Sequence, residues 1–454
     1  MATTEATAPP PTAPDAAAAP AAPAASETPA VAEVPAAAAA PAAHSKTILI
    51  LGASYGGLSS AHYFLKHILP TLPNKDAYTV TLVGESSKHY ARPATPRAIA
   101  SHKLMPPEKI FYDIESGFKK YPAGQFTFIQ GTATAMDEAA RTVTVTTVNN
   151  ETQIITYHAL IIATGTRTAS PIMGLHGDYK LTEDAQKAFQ AALPNVKSIV
   201  IAGGGPAAVE TAGELAELLN GKPSLFSAVK KKVDITIITN ESKLLPALRP
   251  GIAAQAANLL QKFGVEIIYN TKVESVSPET AGISTIMEKA TLKLSNGESK
   301  EADLYLPATG VTPNTKFVPT ALLNEKGFVL ANPETLRVDA AGPLVYTVGD
   351  VASYARWGIM DIFSAIPVVM SNLKRDLSAP EGEKPTGKDR PYKANMKETQ
   401  LVPIGTSKGV GAVFGIKLPG FAVNMIKGKD YFTSKVGGIV DGSHWAKESK
   451  WNGA

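Results

Sequence analysis

The chain has 454 residues, no cysteine, and 44 Lys+Arg against 40 Asp+Glu, a formal net charge of +4. The length allows two or three domains around a substantial core. The missing cysteines exclude disulfides, thiolate nucleophiles and cysteine-ligated metal or iron–sulfur sites, and so small a charge leaves no footprint for nucleic acid.

Residues 1–43 hold 21 Ala and 9 Pro, four acids (Glu5, Asp15, Glu27, Glu33) and no Lys or Arg. Repeated prolines break helices and alanine alone builds no core, so residues 1–44 are expected to form a disordered tail. A transit peptide would be Arg-rich and poor in acids, a secretory signal would open with positive charge, and Ala2 stands where myristoylation needs glycine. No apolar run is long enough to span a bilayer.

Order is expected from Lys46. The apolar run Thr47–Leu51 reads as a buried strand and leads into Gly52-Ala-Ser-Tyr-Gly-Gly57. Leu58, His62, Leu65 and Leu69 then recur at helical spacing, with His62 and His67 expected on a solvated face. A second strand, Tyr78–Val83, ends near Glu85. Strand, glycine turn, helix, strand and acid form a dinucleotide-binding pattern. Gly52 allows the tight turn, Gly56 and Gly57 let the helix pack close, and the helix N-terminus offers free N–H groups to a pyrophosphate. Glu85 would accept hydrogen bonds from a ribose. Ser54 replaces the usual middle glycine and is small enough to admit a phosphate.

The pattern recurs about 150 residues later. The strand Ser198–Ala202 runs into Gly203-Gly-Gly-Pro-Ala-Ala-Val-Glu210, a helix continues through Leu219, and a strand at Val233–Ile238 precedes Asn240, Glu241 and Lys243. Gly203, Gly205 and Pro206 are the expected phosphate-binding positions. Glu241 would favour the 2′-hydroxyl of NADH, whereas Lys243 could meet a 2′-phosphate. Glu210 is expected to face the nicotinamide, Glu214 to be a solvated or structural helix residue, and Lys222–Lys232 to form a surface loop.

Two further signals are the apolar strand ending at Ala163-Thr164-Gly165 and the segment Thr347-Val-Gly349-Asp350, with a second Ala-Thr-Gly at Gly310. Together these residues resemble the pyridine-nucleotide oxidoreductases, flavoproteins with two dinucleotide domains. The resemblance implies an α/β fold with two Rossmann-like domains and a small C-terminal α+β domain. Residues 45–170 and 300–375 would bind FAD, 171–299 would bind NADH or NADPH, and 376–454 would shape an interface or substrate entrance. It implies that the Gly349-Asp350 motif binds FAD, with Asp350 on the ribityl chain, and that the segments of Thr164, Gly165 and Gly310, also cofactor-binding, mark the crossings between domains.

The absence of cysteine removes the disulfide reductases. His89-Tyr-Ala-Arg-Pro-Ala-Thr-Pro-Arg-Ala98 and Leu401–Gly411 with Lys427–Phe432 are similar to the apoptosis-inducing-factor-like and ferroptosis-suppressor-type NAD(P)H:quinone reductases, in a fungal-looking version. The Ala-Gln-x-Ala signature of type II NADH dehydrogenases is missing from Ile362–Met370. Arg97, Lys109 and the helix N-terminus after Asp361 are candidates to lie against the isoalloxazine, where a cation would stabilise the reduced flavin. The cofactor carries the chemistry, so no further catalytic set is needed. The expected acceptor is quinone-like. A slow redox-sensing flavoprotein and a tailoring oxidoreductase of a specialised metabolite stay open.

Asp376–Tyr392 reads as a loop. Beyond it, Phe421, Ala422, Met425 and Ile426 share one helical face flanked by Lys417, Lys427 and Lys429. Such a face at 417–432 suits peripheral membrane contact, a core contact or a homodimer. The cytoplasm, a membrane or lipid-droplet surface and the outer mitochondrial surface are all compatible compartments.

Overall fold

The computed structural model describes residues 46–224, 228–356, 358–380 and 382–451. The Ala/Pro-rich tail read from the sequence lies outside them.

The first sheet has seven strands in the order Val345–Thr347, Ala159–Ile162, Lys46–Leu51, Tyr78–Gly84, Phe126–Asp137, Thr142–Thr147, Thr152–Thr156. The first five run parallel and the last two return as antiparallel hairpins. The parallel strands are buried on both faces, which is why Ile48, Leu49, Ile50 and Leu51 read as an unbroken apolar run rather than an alternation. The second sheet is parallel throughout, in the order Val265–Ile268, Asp234–Ile238, Ser198–Ala202, Leu304–Pro307. Leu304–Pro307 therefore belongs with the second sheet, although the boundary expected at 299/300 had assigned it to the first.

Among the described residues, eight α-helices surround the sheets: α1 (Tyr55–Tyr63), α2 (Thr95–Ala100), α3 (Tyr179–Ala192), α4 (Pro206–Asn220), α5 (Pro250–Lys262), α6 (Ile359–Ser378), α7 (Gly420–Val423) and α8 (Thr433–Val440). Every residue of α1 is buried. The helix packs on the first sheet on one side, and α6 and α8 cover the other. His62 is accordingly not solvated. It is fully buried, its ring stacks on Phe118 at 4.0 Å, Nε2 lies 2.7 Å from the Val440 carbonyl oxygen and Nδ1 lies 2.9 Å from the Tyr121 hydroxyl. Burial pushes its imidazole down to about 3, so it stays neutral.

The C-terminal stretch forms a three-stranded antiparallel sheet, Gln400–Ile404, Lys408–Val413 and Ile416–Lys417, followed by α7 and α8. It closes no core of its own. Val402, Ile404, Val410 and Ala412 join the core of the second sheet, whereas Tyr431, Val436, Ile439, Val440 and Trp445 join that of the first. The segment expected to be a separate domain at 376–454 thus fastens the other two together.

Candidate functional site

The two glycine turns occupy equivalent points of the two sheets. Gly52 follows Lys46–Leu51, its N–H donates to the Val83 carbonyl at 2.7 Å, and its φ is +101°. Gly203 follows Ser198–Ala202, its N–H donates to the Ile238 carbonyl at 2.7 Å, and its φ is +121°. A Cβ on Gly52 would strike the Ala163 carbonyl, and one on Gly203 the Ala308 carbonyl. Each turn lies where the strand order reverses, between Ala159–Ile162 and Tyr78–Gly84 in one sheet and between Leu304–Pro307 and Asp234–Ile238 in the other. Such switch points, outside the carboxyl ends of parallel strands, are where α/β sheets bind nucleotides. Ser54 caps α1 with an exposed side chain, while Gly56 and Gly57 are buried against Val348 and the Gly52 carbonyl.

Gly205 and Pro206 open α4, and a Cβ on Gly205 would meet no protein atom within 4 Å, with an ordinary φ of −77°. Neither packing nor backbone conformation demands glycine there. The space is a cradle at a helix N-terminus, of the kind a pyrophosphate fills. Gly165 and Gly310 likewise face open space.

The crossing segments are locked to each other. Thr164 Oγ1 donates to the Asn314 carbonyl at 2.8 Å, and Asn314 Nδ2 donates to the Thr164 carbonyl at 2.9 Å. Thr164 therefore spends its hydroxyl on the protein. Asp350, half-buried after Gly349 (φ +83°), has its carboxyl pushed above the usual range by burial, with Arg92 opposing the shift and Asp361 adding to it. Arg92, which the sequence reading did not single out, is the cation that acts on this carboxyl. It stands in the same Arg-Pro segment as Arg97, and its Nη1 donates to the Thr166 carbonyl at 3.0 Å. Glu85 lies at the end of its strand, 3.6 Å from Arg167, and burial raises its carboxyl. An acid at one end of the switch point and a carboxylate–Arg pair at the other suit the hydroxyls and phosphates of FAD.

Protein partners occupy Arg97 and Glu210, two of the charged candidates. Arg97, a candidate for the isoalloxazine side, is 5% exposed, its Nη2 lies 2.8 Å from Glu214 Oε1, and Nη1 donates to the Gly428 carbonyl at 2.7 Å. Of the two readings of Glu214, solvated or structural, the buried pair with Arg97 fits the structural one. Lys109 ends a short 3₁₀ turn, Pro107–Lys109, with its side chain exposed; its N–H donates to the Pro106 carbonyl at 2.9 Å and its carbonyl accepts from the Tyr112 hydroxyl at 2.9 Å. Among the described residues it makes no ion pair. Glu210 is 3% exposed and pairs with Lys427 Nζ at 2.5 Å. Burial raises its carboxyl to about 7, although Lys427 holds it down. Lys427, expected in a basic rim, is turned inward.

In the second unit, Thr239 is buried and its Oγ1 accepts from the Glu241 N–H at 3.2 Å; Glu241, three positions past the strand Asp234–Ile238, is exposed. Lys243 Nζ donates to the Pro246 carbonyl at 2.9 Å and also to that of Leu248.

Paired glycine turns at two switch points, bridged by the Thr164–Asn314 crossing, decide the class. The chain belongs to the pyridine nucleotide-disulphide oxidoreductase family, which matches residues 46–370. It is an FAD- and NAD(P)H-dependent oxidoreductase, and without cysteine it has no redox-active disulfide. Oxidoreductase phnG of Penicillium herquei is 46% identical over 408 residues, covering 89% of this chain and 98% of that one. Ferroptosis suppressor protein 1 of Xenopus tropicalis is 28% identical, covering 71% of this chain and 82% of that one. A probable mitochondrial NADH-ubiquinone oxidoreductase of Schizosaccharomyces pombe is 25% identical, covering 68% of this chain and 58% of that one.

Proposed function

We propose that the protein oxidises NADH at the second glycine turn and delivers the electrons to a quinone-type acceptor. The observation that carries this reading is the pair of equivalent turns at Gly52 and Gly203, each at a switch point of its own parallel sheet. Bound FAD would accept a hydride from the reduced nicotinamide and pass electrons onward. The chain's residues bind and orient. The turn at Gly52–Gly57 with Asp350, Arg92 and Glu85 would hold FAD, and the cradle at Gly205 would hold the nicotinamide dinucleotide. Glu210, one turn into α4, can keep or release a proton at its carboxyl near neutral pH because burial raises it to about 7.

NADH is favoured over NADPH because Glu241 is exposed beside the expected ribose position, while Lys243 is tied to two backbone carbonyls and is not free to meet a 2′-phosphate. The quinone assignment draws on the reductase branch that His89–Ala98 and Leu401–Gly411 resemble, and on the NADH-ubiquinone relative. The test is steady-state turnover with a soluble quinone under NADH and NADPH. Brisk, quinone-dependent NADH oxidation is the expected result. Negligible turnover with a long-lived reduced state would favour a redox sensor.

Membrane contact through 417–432 is part of the same proposal. Phe421, Met425 and Ile426 are 67%, 70% and 48% exposed, with Lys417 and Lys429 also exposed beside them. An apolar face with a basic rim suits an anionic bilayer surface. No helix among the described residues is long and apolar enough to cross a membrane. Co-sedimentation with anionic vesicles, lost in Phe421→Asp and absent with neutral vesicles, is expected. A dimer in solution that buries the same residues would contradict it.

A further inference from the structure

Arg97, on α2, spends its guanidinium on two other stretches of chain. Nε lies 3.2 Å from both Glu214 oxygens and Nη2 2.8 Å from Oε1. Nη1 donates to the carbonyls of Gly428 at 2.7 Å and Lys429 at 3.3 Å. The guanidinium carbon sits 4.8 Å from the Tyr431 ring centroid, and the Tyr431 hydroxyl donates to the same Glu214 Oε1 at 3.0 Å. Arg97 lies on α2, Glu214 on α4, and residues 428–431 in the C-terminal segment.

The two helices are the ones that carry the site. Just before α2 comes Arg92, which donates to Thr166 and whose charge acts on Asp350 on the proposed flavin side. At the start of α4 is the Gly205 cradle, and Glu214 lies on the same face as Glu210, one turn further along. A buried ion pair adds little net stability over apolar side chains of the same shape, and fixing registry is the best-attested use of one. The planar fork also cannot be copied by a lysine, which has no bidentate geometry.

We propose that Arg97 is a positioning residue for hydride transfer: by clamping α2, α4 and the C-terminal segment together, it sets the distance between the nicotinamide and the flavin. This rests on assigning FAD to the first glycine turn and NAD(P)H to the second. Displacement of about 1 Å at a reacting centre can cost on the order of a hundredfold in rate, so a loosened clamp lowers rate more than affinity.

The experiment is anaerobic rapid mixing of FAD-loaded Arg97→Met, Arg97→Lys and Tyr431→Phe proteins with NADH. It is read together with flavin content, melting temperature and NADH dissociation constant. Arg97→Met should keep its flavin and bind NADH within about threefold of wild type, while the limiting rate of flavin reduction falls by about tenfold or more. Arg97→Lys should restore little of that rate. Tyr431→Phe, which loses only a hydroxyl, should fold even if Arg97→Met does not, and should show a smaller fall in the same rate. An unchanged limiting rate per flavin with only a lower melting temperature would overturn the proposal, as would loss of flavin from Arg97→Lys with a normal rate in the protein that remains loaded. A wild-type protein that NADH does not reduce would overturn the functional reading itself, and is told apart because the variants play no part in that result.

Discussion

Lys427 and Glu210 form an ion pair at 2.5 Å across 217 residues of sequence, joining the C-terminal segment to the first turns of the nucleotide helix. Burial raises the Glu210 carboxyl from its ordinary 4.5 to about 7. The folded protein therefore keeps a proton that the unfolded chain loses near 4.5. In that window the native state binds more protons, so the stability contributed by this group falls as pH rises from about 4.5 to about 7. Glu210→Gln cannot titrate. Its melting temperature relative to wild type should increase as pH is raised from about 5 to about 8, as scanning calorimetry would show. A difference that stays flat with pH would show that Glu210 is ionised throughout.

This pair, and the Arg97–Glu214 pair, could not be read from the sequence. Both join residues more than a hundred positions apart, and helical spacing says only that Glu210 and Glu214 share a face. What covers that face is decided by the return of the C-terminal chain. The same return buries His62, whose helix is covered on both sides although its periodicity suggested only one. The glycine turns were legible because part of their requirement is local: the positive φ at Gly52 and Gly203 disfavours any side chain, and the approach of the distant Ala163 and Ala308 carbonyls adds to it. Asp350 was singled out by its Gly-Asp motif, whereas Arg92, whose charge acts on it, was passed over for Arg97, and nothing in the segment Arg92–Arg97 says which arginine turns to which side.

Gly205→Val separates the two sites. Its new side chain would enter space that no protein atom fills within 4 Å, so folding and flavin content should be spared. The valine would occupy the pyrophosphate position, and the KM for NADH should rise strongly, by tenfold or more, at about one lost charge-assisted hydrogen bond. Loss of flavin with normal NADH affinity would mean that the two sites are exchanged. Gly52 cannot serve as the matching control, because a Cβ there meets the Ala163 carbonyl and perturbs the fold.

Asp350→Ala is the matching control on the flavin side. The carboxylate is half-buried beside Arg92, and its removal takes a charged acceptor from the expected ribityl position. The loss is about 1.5–3 kcal/mol of FAD binding, roughly ten- to a hundredfold in affinity. Purified Asp350→Ala should be largely free of flavin by its visible absorbance and should recover it only at high FAD. Full retention of flavin would remove Asp350 from the site.

The central claim is that one chain holds FAD at the Gly52 turn and takes electrons from a nicotinamide held at the Gly203 turn. Anaerobic titration of the purified, FAD-loaded protein with NADH tests it most directly. The visible flavin absorbance should bleach fully at about one NADH per chain, as expected for a two-electron transfer to a single flavin with no disulfide to take up a second pair, and a soluble quinone should restore it. A flavin that NADH fails to bleach, or a protein that takes up no flavin at all, would contradict the account.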